Sequence, residues 1–544
     1  MRSLPCLTLA FVLCLQTAPG TAQKPATATA PSWPQTYPTG ADTPLGARIA
    51  ALLTDADVAH AHWGIAVTGT DGTPIYGLDE DKLFRPASTA KLFTTAAAIA
   101  ILGPENTVET NLYGALNTQT GVLNGDLELI GGGDSSFNTN DLPYRASPAT
   151  ATAPRDLANL ADQLVARGLR HITGNVVGND ALFGHEVPPE GWAAEDLLWG
   201  YGALPSALSI ADNELHTTIT PAPVSFPPPI GSDIAARIAI DQTVPYLKID
   251  SSMLTRPPDA TPKLSLSIFA ASEPTHTLRI DGGIVSGNSP VHVTFAIDDP
   301  ALYAAESLKK LLIDRGVQID GDALPRHADT VTQESYLKAW RNPAGVSNGI
   351  DLSCGAAPDR PQLLVTHTSP PLIEDITFAL KTSANLHVEN ILRLLALKDS
   401  CPGAPAVYGA RLVRTWLLHA GLQEGDFLFY DGSGLSTKDL VTPRAEAQLL
   451  AYAARQPWFG DWKSALPIGG VDGTLDTRFK DAPLKGHVFA KTGTLGESRA
   501  LAGYLDCASG RQVIFSILVD NHEPGTSADL TTMDKIVQAI AATN

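Results

Sequence analysis

Ser88 and Lys91 place a hydroxyl and an amine three residues apart at the start of a predicted helix. Pro86 is typical of a helix start and Gly103-Pro104 of a helix end, which predicts a helix over roughly 88–102. Its residues are apolar on nearly every side, so we expect it to be buried, and Lys91 is its only charged residue. A lone buried ammonium is costly unless it is paired or deprotonated. A desolvated amine beside a hydroxyl is the arrangement of an activated serine nucleophile.

A structural interpretation of the same two residues stays open. Ser88 would cap the helix, and the aliphatic stem of Lys91 would let its charge leave the core. The Ser-x-x-Lys spacing does not choose between the two, because it occurs twice more in this chain. The other matches are Ser307-Leu308-Lys309-Lys310 and Ser335-Tyr336-Leu337-Lys338, both in segments of amphipathic or loop-like character. Other motifs must decide.

One such motif, Lys491-Thr492-Gly493-Thr494, occurs once, at the end of a strand predicted over 487–492. A glycine within a strand usually marks a bulge or the close approach of another backbone. In one interpretation that backbone is a substrate peptide, which adds to the edge of the sheet as a further strand. On this interpretation Lys491 supplies positive charge for a substrate carboxylate, and the Thr494 amide donates to an oxyanion. The structural alternative is a strand end with an ordinary surface lysine.

A third motif, Ser383-Ala384-Asn385, lies where two predicted helices meet, over 373–381 and 385–397. Ser-x-Asn also occurs at 136–138 and 286–288, so it is weak evidence by itself. No group of cysteine and histidine residues has the spacing of metal ligands, and we predict neither a metal nor a cofactor.

Length and composition indicate a multidomain globular protein. The 544 residues exceed what one core holds and predict about two to four domains. Hydrophobic residues make up 44% and charged residues 17%, which is ordinary for a globular chain. The net charge of −19 argues against nucleic acid or an anionic membrane as a partner, since both require a basic surface.

Residues 1–22 predict a secretory signal, with a basic residue, an apolar run and small residues at the cleavage site. Residues 23–44, rich in Ala, Thr and Pro, predict a disordered linker. No later stretch approaches about 18 uninterrupted apolar residues, so we expect no transmembrane segment. Three cysteines follow the signal, and the predicted disulfide is Cys354–Cys401, with Cys507 free.

The hydrophobic pattern changes twice along the chain. From about 109 to 361, many short alternating runs separated by turn residues predict a β-rich region, with helices over 155–168 and 299–315. From about 362 the pattern again mixes helices and strands, including strands over 499–506 and 512–519. This texture predicts a β-rich insertion within an α/β framework.

In chain order, Ser88-x-x-Lys91, Ser383-x-Asn385 and Lys491-Thr492-Gly493 match the motif set of serine β-lactamases and penicillin-binding proteins. From about residue 45 onward the chain resembles the class C low-molecular-mass penicillin-binding proteins, the D-alanyl-D-alanine carboxypeptidase/endopeptidase family. The further motifs that carry this resemblance are LIGGGD (129–134), GNVVGND (174–180), YGALPSALS (201–209), DGSGLS (431–436), LVTPR (440–444) and GVDGTL (470–475). One departure is Ala384, where relatives often carry a polar residue.

The resemblance implies an α/β (α+β) fold: a transpeptidase- and β-lactamase-like domain, with an antiparallel sheet and a helical cluster, that carries a β-rich two-domain insertion. The long separation of Lys91 from Ser383 agrees with this, because β-lactamases keep these motifs much closer. The implied boundaries are 45–108 and 362–544 for the catalytic domain, 109–131 and 206–361 for the inserted domain, and 132–205 for a domain nested in it.

The resemblance also implies roles for the motif residues in cleaving D-alanyl-D-alanine. Ser88 would form an acyl-enzyme, Lys91 would take its proton, and Ser383 would relay a proton to the departing amine. Asn385 would hold Lys91 and the substrate amide. The substrate would lie along Lys491–Thr494, with the Ser88 and Thr494 amides as the oxyanion hole; which group is the acylation base stays open.

The implied partners are peptidoglycan stem peptides, with β-lactams as covalent inhibitors. The enzyme would be exported to the periplasm, or be extracellular or wall-associated where the envelope has no outer membrane. Two rival functions stay open at this point. A β-lactamase or esterase would use the same residues but would turn over a penicillin rather than be stably acylated. A catalytically silent wall-binding protein would have damaged motifs, whereas all three motifs are intact here.

Overall fold

The computed structural model of the chain describes residues 30–138, 142–146, 155–186, 188–223, 234–270, 276–328, 361–398 and 400–544. Its helices are α1 (Pro44–Leu53), α2 (Ala90–Leu102), α3 (Asp156–Ala166), α4 (Pro300–Asp314), α5 (Leu372–Thr382), α6 (Asn385–Lys398), α7 (Ala406–His419), α8 (Pro443–Ala453), α9 (Phe459–Ser464) and α10 (Ala528–Thr543). Strands of the first half are β1 (His62–Gly69), β2 (Pro74–Leu78), β3 (Glu109–Asn117), β4 (Val122–Ile130), β5 (His171–Ile172), β6 (Val176–Asn179), β7 (Glu214–Thr220), β8 (Arg237–Ile240), β9 (Lys248–Arg256) and β10 (Leu264–Ala270). The remaining strands are β11 (Thr277–Val285), β12 (Val291–Ala296), β13 (Gln318–Ile319), β14 (Ala323–Arg326), β15 (Leu363–Thr368), β16 (Phe427–Leu428), β17 (Leu440–Val441), β18 (Val488–Leu495), β19 (Ser498–Asp506) and β20 (Gln512–Asp520). The mixed α/β class is confirmed.

A five-stranded antiparallel sheet joins distant parts of the chain, in the order β18-β19-β20-β1-β2. Helices cover both of its faces. One face packs on α1 and α10 through residues such as Ile49 and Ile536, and the other packs on the cluster that contains α2, α5, α6, α7 and α8. The segments on either side of the β-rich region therefore share this sheet and its cores, which is what brings the three motifs together.

β18 lies at the edge of this sheet and carries Lys491–Thr494. It runs through the motif to Leu495, so the prediction that the strand ends at residue 492 is wrong. On its outer side the Ala490 amide donates to Pro467 O at 3.0 Å. Because amides alternate along a strand and the register with β19 is regular, the Thr494 amide also points outward from the edge.

The nested domain predicted at 132–205 does not match the strand pairing. β5 and β6 lie within that range, yet they pair in parallel with β4, in the seven-stranded sheet that also contains β3, β13, β14 and β15. The two separate three-stranded sheets are formed instead by 214–220, 237–256, 264–285 and 291–296. The prediction fails because the chain returns to β4 after residue 170, a long-range parallel pairing with no local sequence signal. The remaining domain boundaries stay a prediction.

Residues 30–44 are also not the predicted disordered linker. Trp33 and Tyr37 are buried, and the Trp33 indole donates to Ala420 O at 2.8 Å. The Arg455 guanidinium lies 4.6 Å from the centroid of the Trp33 ring. These two aromatic side chains are large enough to anchor a segment of otherwise linker-like composition. The predicted signal, 1–22, and the rest of the linker lie outside the described residues.

The cysteines are described in part. Cys401 is disulfide-bonded, and Cys507 is a free buried thiol whose pKa is raised by burial. Cys354, the predicted partner of Cys401, lies outside the described residues, so this pairing stays a prediction.

Candidate active site

The turn that carries Ser88 is strained and closely held. Residues Ala87–Thr89 form a 3-10 turn that leads into α2, and Ala87 has a φ of 46°, in the left-handed region that costs a non-glycine residue energy. Two glycines allow other segments to approach it. A Cβ at Gly434 would lie 1.8 Å from Ala87 O, and one at Gly493 would lie 2.6 Å from Pro86 O. Two of the sequence motifs thus pack directly against the residue that precedes Ser88.

Lys91 lies on α2, one turn after Ser88, and its side chain is fully buried as predicted. Its Nζ donates to Ser88 Oγ at 3.0 Å, to Asn385 Oδ1 at 2.6 Å and to Ser433 O at 2.6 Å. These acceptors use all three donors of an ammonium. The alternative in which the Lys91 charge reaches solvent is therefore wrong.

Burial lowers the pKa of Lys91 to about 7, although the nearby carboxylates of Asp431, Glu389 and Asp439 act in the opposite direction. When the amine is neutral it keeps two hydrogens and gains a lone pair. The contact with Ser88 can then reverse, with the hydroxyl donating to Nζ. The site therefore holds an amine that can accept a proton from Ser88 near neutral pH.

Asn385 begins α6 and fixes two segments through its amide. Its Oδ1 accepts from Lys91, and its Nδ2 donates to Tyr201 O at 2.8 Å. Tyr201 belongs to the inserted region, so the amide links that region to the lysine. One Nδ2 hydrogen remains for a substrate carbonyl.

Ser383 and Lys491 form a second pair on the other side of the site. Ser383 ends α5 in the left-handed conformation, with a φ of 66°, and its Oγ accepts from Lys491 Nζ at 2.9 Å. Lys491 is fully buried and also donates to Thr492 O at 2.8 Å. Burial, followed by the charge of Lys91, holds the pKa of Lys491 well below its usual range. The interpretation of Lys491 as a surface residue is wrong.

A loop closes the site next to this pair. Lys381, two residues before Ser383, donates to both carboxylate oxygens of Asp472 at 2.7 Å, and its side chain is buried. Thr474 Oγ1 then lies 2.7 Å from Thr492 Oγ1. The Lys381–Asp472 ion pair therefore fixes the loop that contacts β18.

All eight predicted site residues are brought to one place, but the contacts that hold them were not all foreseen. Sequence reasoning missed the Ser433 carbonyl as a partner of Lys91, and Glu389, whose Oε1 accepts from the amides of Gly432 and Ser433 at 2.8 and 2.9 Å. The DGSGLS motif at 431–436 was the available signal, since it contains both Gly432 and Ser433. In the described part of the chain no group of three or more potential ligands could hold a metal ion.

The chain is similar to known proteins along most of its length. The model of the family described as "D-Ala-D-Ala carboxypeptidase 3 (S13) family" matches residues 45–340 and 326–543. The chain is 27% identical over 509 residues to the D-alanyl-D-alanine carboxypeptidase of Actinomadura sp. (strain R39), covering 92% of this chain and 85% of that protein. It is 25% identical over 465 residues to the D-alanyl-D-alanine carboxypeptidase DacB of Haemophilus influenzae, covering 83% and 84%.

A solved structure shows the same fold. The crystal structure of penicillin binding protein 4 (dacB) from Haemophilus influenzae superposes with a TM-score of 0.72 at 23% identity, covering 91% of this chain and 99% of that one. The family match spans nearly the whole described chain, and the motifs on which the resemblance rests lie within it. This protein therefore belongs to the D-Ala-D-Ala carboxypeptidase 3 (S13) family.

Proposed function

We propose that this protein is a serine D-alanyl-D-alanine carboxypeptidase that forms an acyl-enzyme on Ser88. The observation that carries the proposal is the 3.0 Å contact between Lys91 Nζ and Ser88 Oγ. Because the pKa of Lys91 is lowered to about 7, much of this amine is neutral at physiological pH. It can then act as the base that activates the hydroxyl.

In the acylation step, Ser88 Oγ attacks the carbonyl carbon of the D-Ala-D-Ala bond while its proton passes to Lys91 Nζ. The new C–O bond converts the carbonyl to a tetrahedral oxyanion. We assign the Ser88 and Thr494 amides as its donors, each worth about 3–4 kcal/mol in such sites. The outward direction of the Thr494 amide at the edge of β18 supports this assignment.

Collapse of the intermediate breaks the C–N bond, and the departing amine must take a proton. The Ser383 hydroxyl is assigned as the last donor, and the proton that Lys91 gained replaces the one that Ser383 gives up; for this transfer the Ser383 hydroxyl must turn from Lys491 toward Lys91 when the substrate is bound. In this structure Ser383 contacts Lys491 rather than Lys91, so its hydroxyl is held by β18, the strand along which we place the substrate. Water then hydrolyses the acyl-enzyme and regenerates Ser88.

Lys491 is assigned to the terminal carboxylate of the substrate. Within the described residues its Nζ gives two hydrogen bonds, to Ser383 and Thr492, which leaves a third donor for the carboxylate. Without substrate, burial and the charge of Lys91 lower the pKa of Lys491. A substrate carboxylate brings an opposite charge next to this amine and so raises its pKa. Binding of the substrate therefore stabilises the charged form of Lys491. Thr492 and Gly493 continue the same strand, along which the peptide lies.

The same chemistry extends to two other reactants. Where the leaving amine belongs to a second stem peptide, the steps above cleave a cross-link and give endopeptidase activity. A β-lactam presents a strained amide to Ser88, and its leaving group remains attached to the acyl group, so it inhibits the enzyme covalently. The scheme requires no cofactor.

We further propose that the enzyme is exported and that residues 1–22 are its signal. It would act in the periplasm, or outside the cell where the envelope has no outer membrane. Across the described ranges, none of the helices combines the length and the apolar character needed to span a bilayer. The net charge of −19 disfavours nucleic acid as a partner.

Digestion of purified peptidoglycan, with the products identified by mass spectrometry, tests the proposal. Release of terminal D-alanine is expected, and uncross-linked stem peptides would establish the endopeptidase activity. Ser88→Ala should abolish both. Ser307→Ala is the matched control, because Ser307 belongs to another Ser-x-x-Lys match and its buried Oγ lacks a hydrogen-bond partner in the described chain. Unchanged products from Ser88→Ala would refute the assignment.

A further inference from the structure

Glu446 is a fully buried acid that the reaction scheme does not use. It lies on α8, and its Oε2 accepts from Ser516 Oγ on β20, the central strand of the sheet, at 2.7 Å. Its Oε1 lies 2.5 Å from Thr89 Oγ1. Since Thr89 directly follows Ser88, this carboxyl group connects the centre of the sheet to the turn that carries the nucleophile.

The protons in this cluster can be counted. The Thr89 hydroxyl also lies 2.8 Å from Pro86 O, a carbonyl that can only accept. A hydroxyl has one proton, so Thr89 cannot donate to both neighbours. All contacts are satisfied only when Glu446 is protonated: it donates to Thr89, and Thr89 donates to Pro86 O. If Glu446 were ionised, the Thr89 hydroxyl would donate to the carboxylate instead. The oxygens of Thr89 and Pro86 would then face each other 2.8 Å apart with no hydrogen between them.

The contact with Pro86 O matters because this turn is under strain. Ala87 has a φ of 46° and lies between Pro86, whose carbonyl contacts the Thr89 hydroxyl, and Ser88. Such a conformation persists only where its surroundings enforce it. Pro86 O also accepts from the Thr89 amide at 3.1 Å, so loss of the hydroxyl contact removes one of two hydrogen bonds that hold the turn and orient the Ser88 hydroxyl and amide.

We propose that protonated Glu446 is a positioning residue for acylation, which holds the strained turn through Thr89 and releases it on ionisation. This inference rests on the proposed function of Ser88. It predicts an enzyme that needs Lys91 neutral and Glu446 protonated at the same time. Acylation is then greatest in a narrow range of pH, with a rising limb that belongs to Lys91 and a falling limb that belongs to Glu446.

The surroundings of Glu446 contain no compensating cation in the described part of the chain. Burial raises its pKa to about 7, and the hydrogen bonds with Thr89 and Ser516 lower it only in part. The titratable groups on α8, on the strands packed against it and on the helix after Thr89 have other partners: Arg444 with Asp426, Tyr452 with the Trp416 ring, Tyr504 with Leu450 O, Arg499 with Asp529, Asp520 with Ser498, Asp506 with Lys463, His62 with Asn521, and Lys91 with Ser88, Asn385 and Ser433 O. The carboxyl group therefore has no fixed charge to keep it ionised.

Glu446→Gln gives the sharpest test, because the amide keeps the shape, donates to Thr89 at every pH and still accepts from Ser516. The measurement is the rate of benzylpenicillin acylation against pH, with the site of the adduct verified by peptide mapping. The wild type should rise and then fall around neutral pH. Glu446→Gln should rise to a plateau, and Thr89→Val should also lose the falling limb while acylating about tenfold more slowly, as expected for one lost buried hydrogen bond.

Ser516→Ala is the matched control: it removes the other partner of Glu446 but keeps the contact with Thr89. It should keep the falling limb, moved to higher pH because a hydrogen bond that lowers the pKa of Glu446 is gone. A falling limb that persists in Glu446→Gln, with the adduct on Ser88, would assign that limb to another group such as Lys491 and overturn this inference alone. Failure of every variant to acquire an adduct on Ser88 would overturn the proposed function and this inference with it.

Discussion

Asn385→Asp changes the charge beside Lys91 with almost no change in shape. The carboxylate oxygen would replace an amide oxygen that lies 2.6 Å from Lys91 Nζ. An opposite charge this close raises the pKa of an amine by about 1–3 units. Since the pKa of Lys91 in the wild-type site is about 7, the variant should hold this lysine protonated through the neutral range.

The size of the effect follows from the fraction of neutral amine. At a pH of about 7 roughly half of Lys91 is neutral in the wild type, whereas a rise of 1–3 units leaves about 10% to 0.1%. Acylation by benzylpenicillin should therefore slow about 5- to 500-fold at that pH. In the Glu446→Gln background, which lacks the proposed falling limb, the rising limb of the pH profile should move up by the same 1–3 units, about tenfold in rate for each unit.

Stopped-flow or quenched-flow acylation across the pH range measures both quantities. Asn385→Leu is the matched control, because it removes the contacts with Lys91 and Tyr201 without adding charge. It should acylate slowly without the upward displacement of the rising limb. If Asn385→Asp leaves the midpoint unchanged in the Glu446→Gln background, Lys91 is not the group whose deprotonation permits acylation, and the proposed proton transfer is wrong.

Three further predictions concern groups around the site. Lys491→Ala should reduce kcat/KM for substrates with a terminal carboxylate far more than for matched amides, and it should lower the melting temperature because the lysine is fully buried; equal losses for both substrates would remove Lys491 from carboxylate binding. Asp472→Ala should destabilise the protein by about 3 kcal/mol by leaving Lys381 buried and unpaired, and the double variant with Lys381→Met should recover most of this in chemical denaturation; no recovery would show that the ion pair is not the cause. Because the pKa of Glu446 is raised from 4.5 to about 7, its neutral form is favoured in the fold, and the associated stability is lost as pH rises through that interval. The free energy of unfolding of Glu446→Gln should therefore rise by about 3 kcal/mol relative to that of the wild type as the pH increases from about 4.5 to 7. If the difference between the two free energies did not change with pH, Glu446 would be ionised throughout this range.

The motifs that meet at the site were predictable because each is a short run of neighbouring residues in the sequence. A helix that is apolar on every side has to be buried, so the burial of Lys91 followed from its neighbours alone. The direction of each side chain within the site did not follow. Ser383 pairs with Lys491 because α5 ends in a left-handed residue and β18 runs on beyond the lysine, and both are features of backbone geometry rather than of residue type.

Glu446 shows why a buried acid is hard to predict. It lies in a segment with an arginine and a glutamine, the composition of an ordinary surface helix, yet α8 is buried on almost every side. Only the packing of α8 on β20 reveals this. Trp33 and Tyr37 were a signal that could have been used, since two large aromatic residues are unusual in a disordered linker.

The most direct test of the account is the position of a covalent penicillin adduct. Intact-mass spectrometry after mixing with benzylpenicillin should show one adduct, and peptide mapping should place it on Ser88. Ser88→Ala should abolish it, while variants of Ser307 or Ser335, the serines of the other Ser-x-x-Lys matches, should leave it unchanged; Ser335 lies outside the described residues. A stable adduct also separates this function from a β-lactamase, which would release the hydrolysed drug. An adduct that survives in Ser88→Ala, or one that maps to either of the other serines, would contradict the central claim.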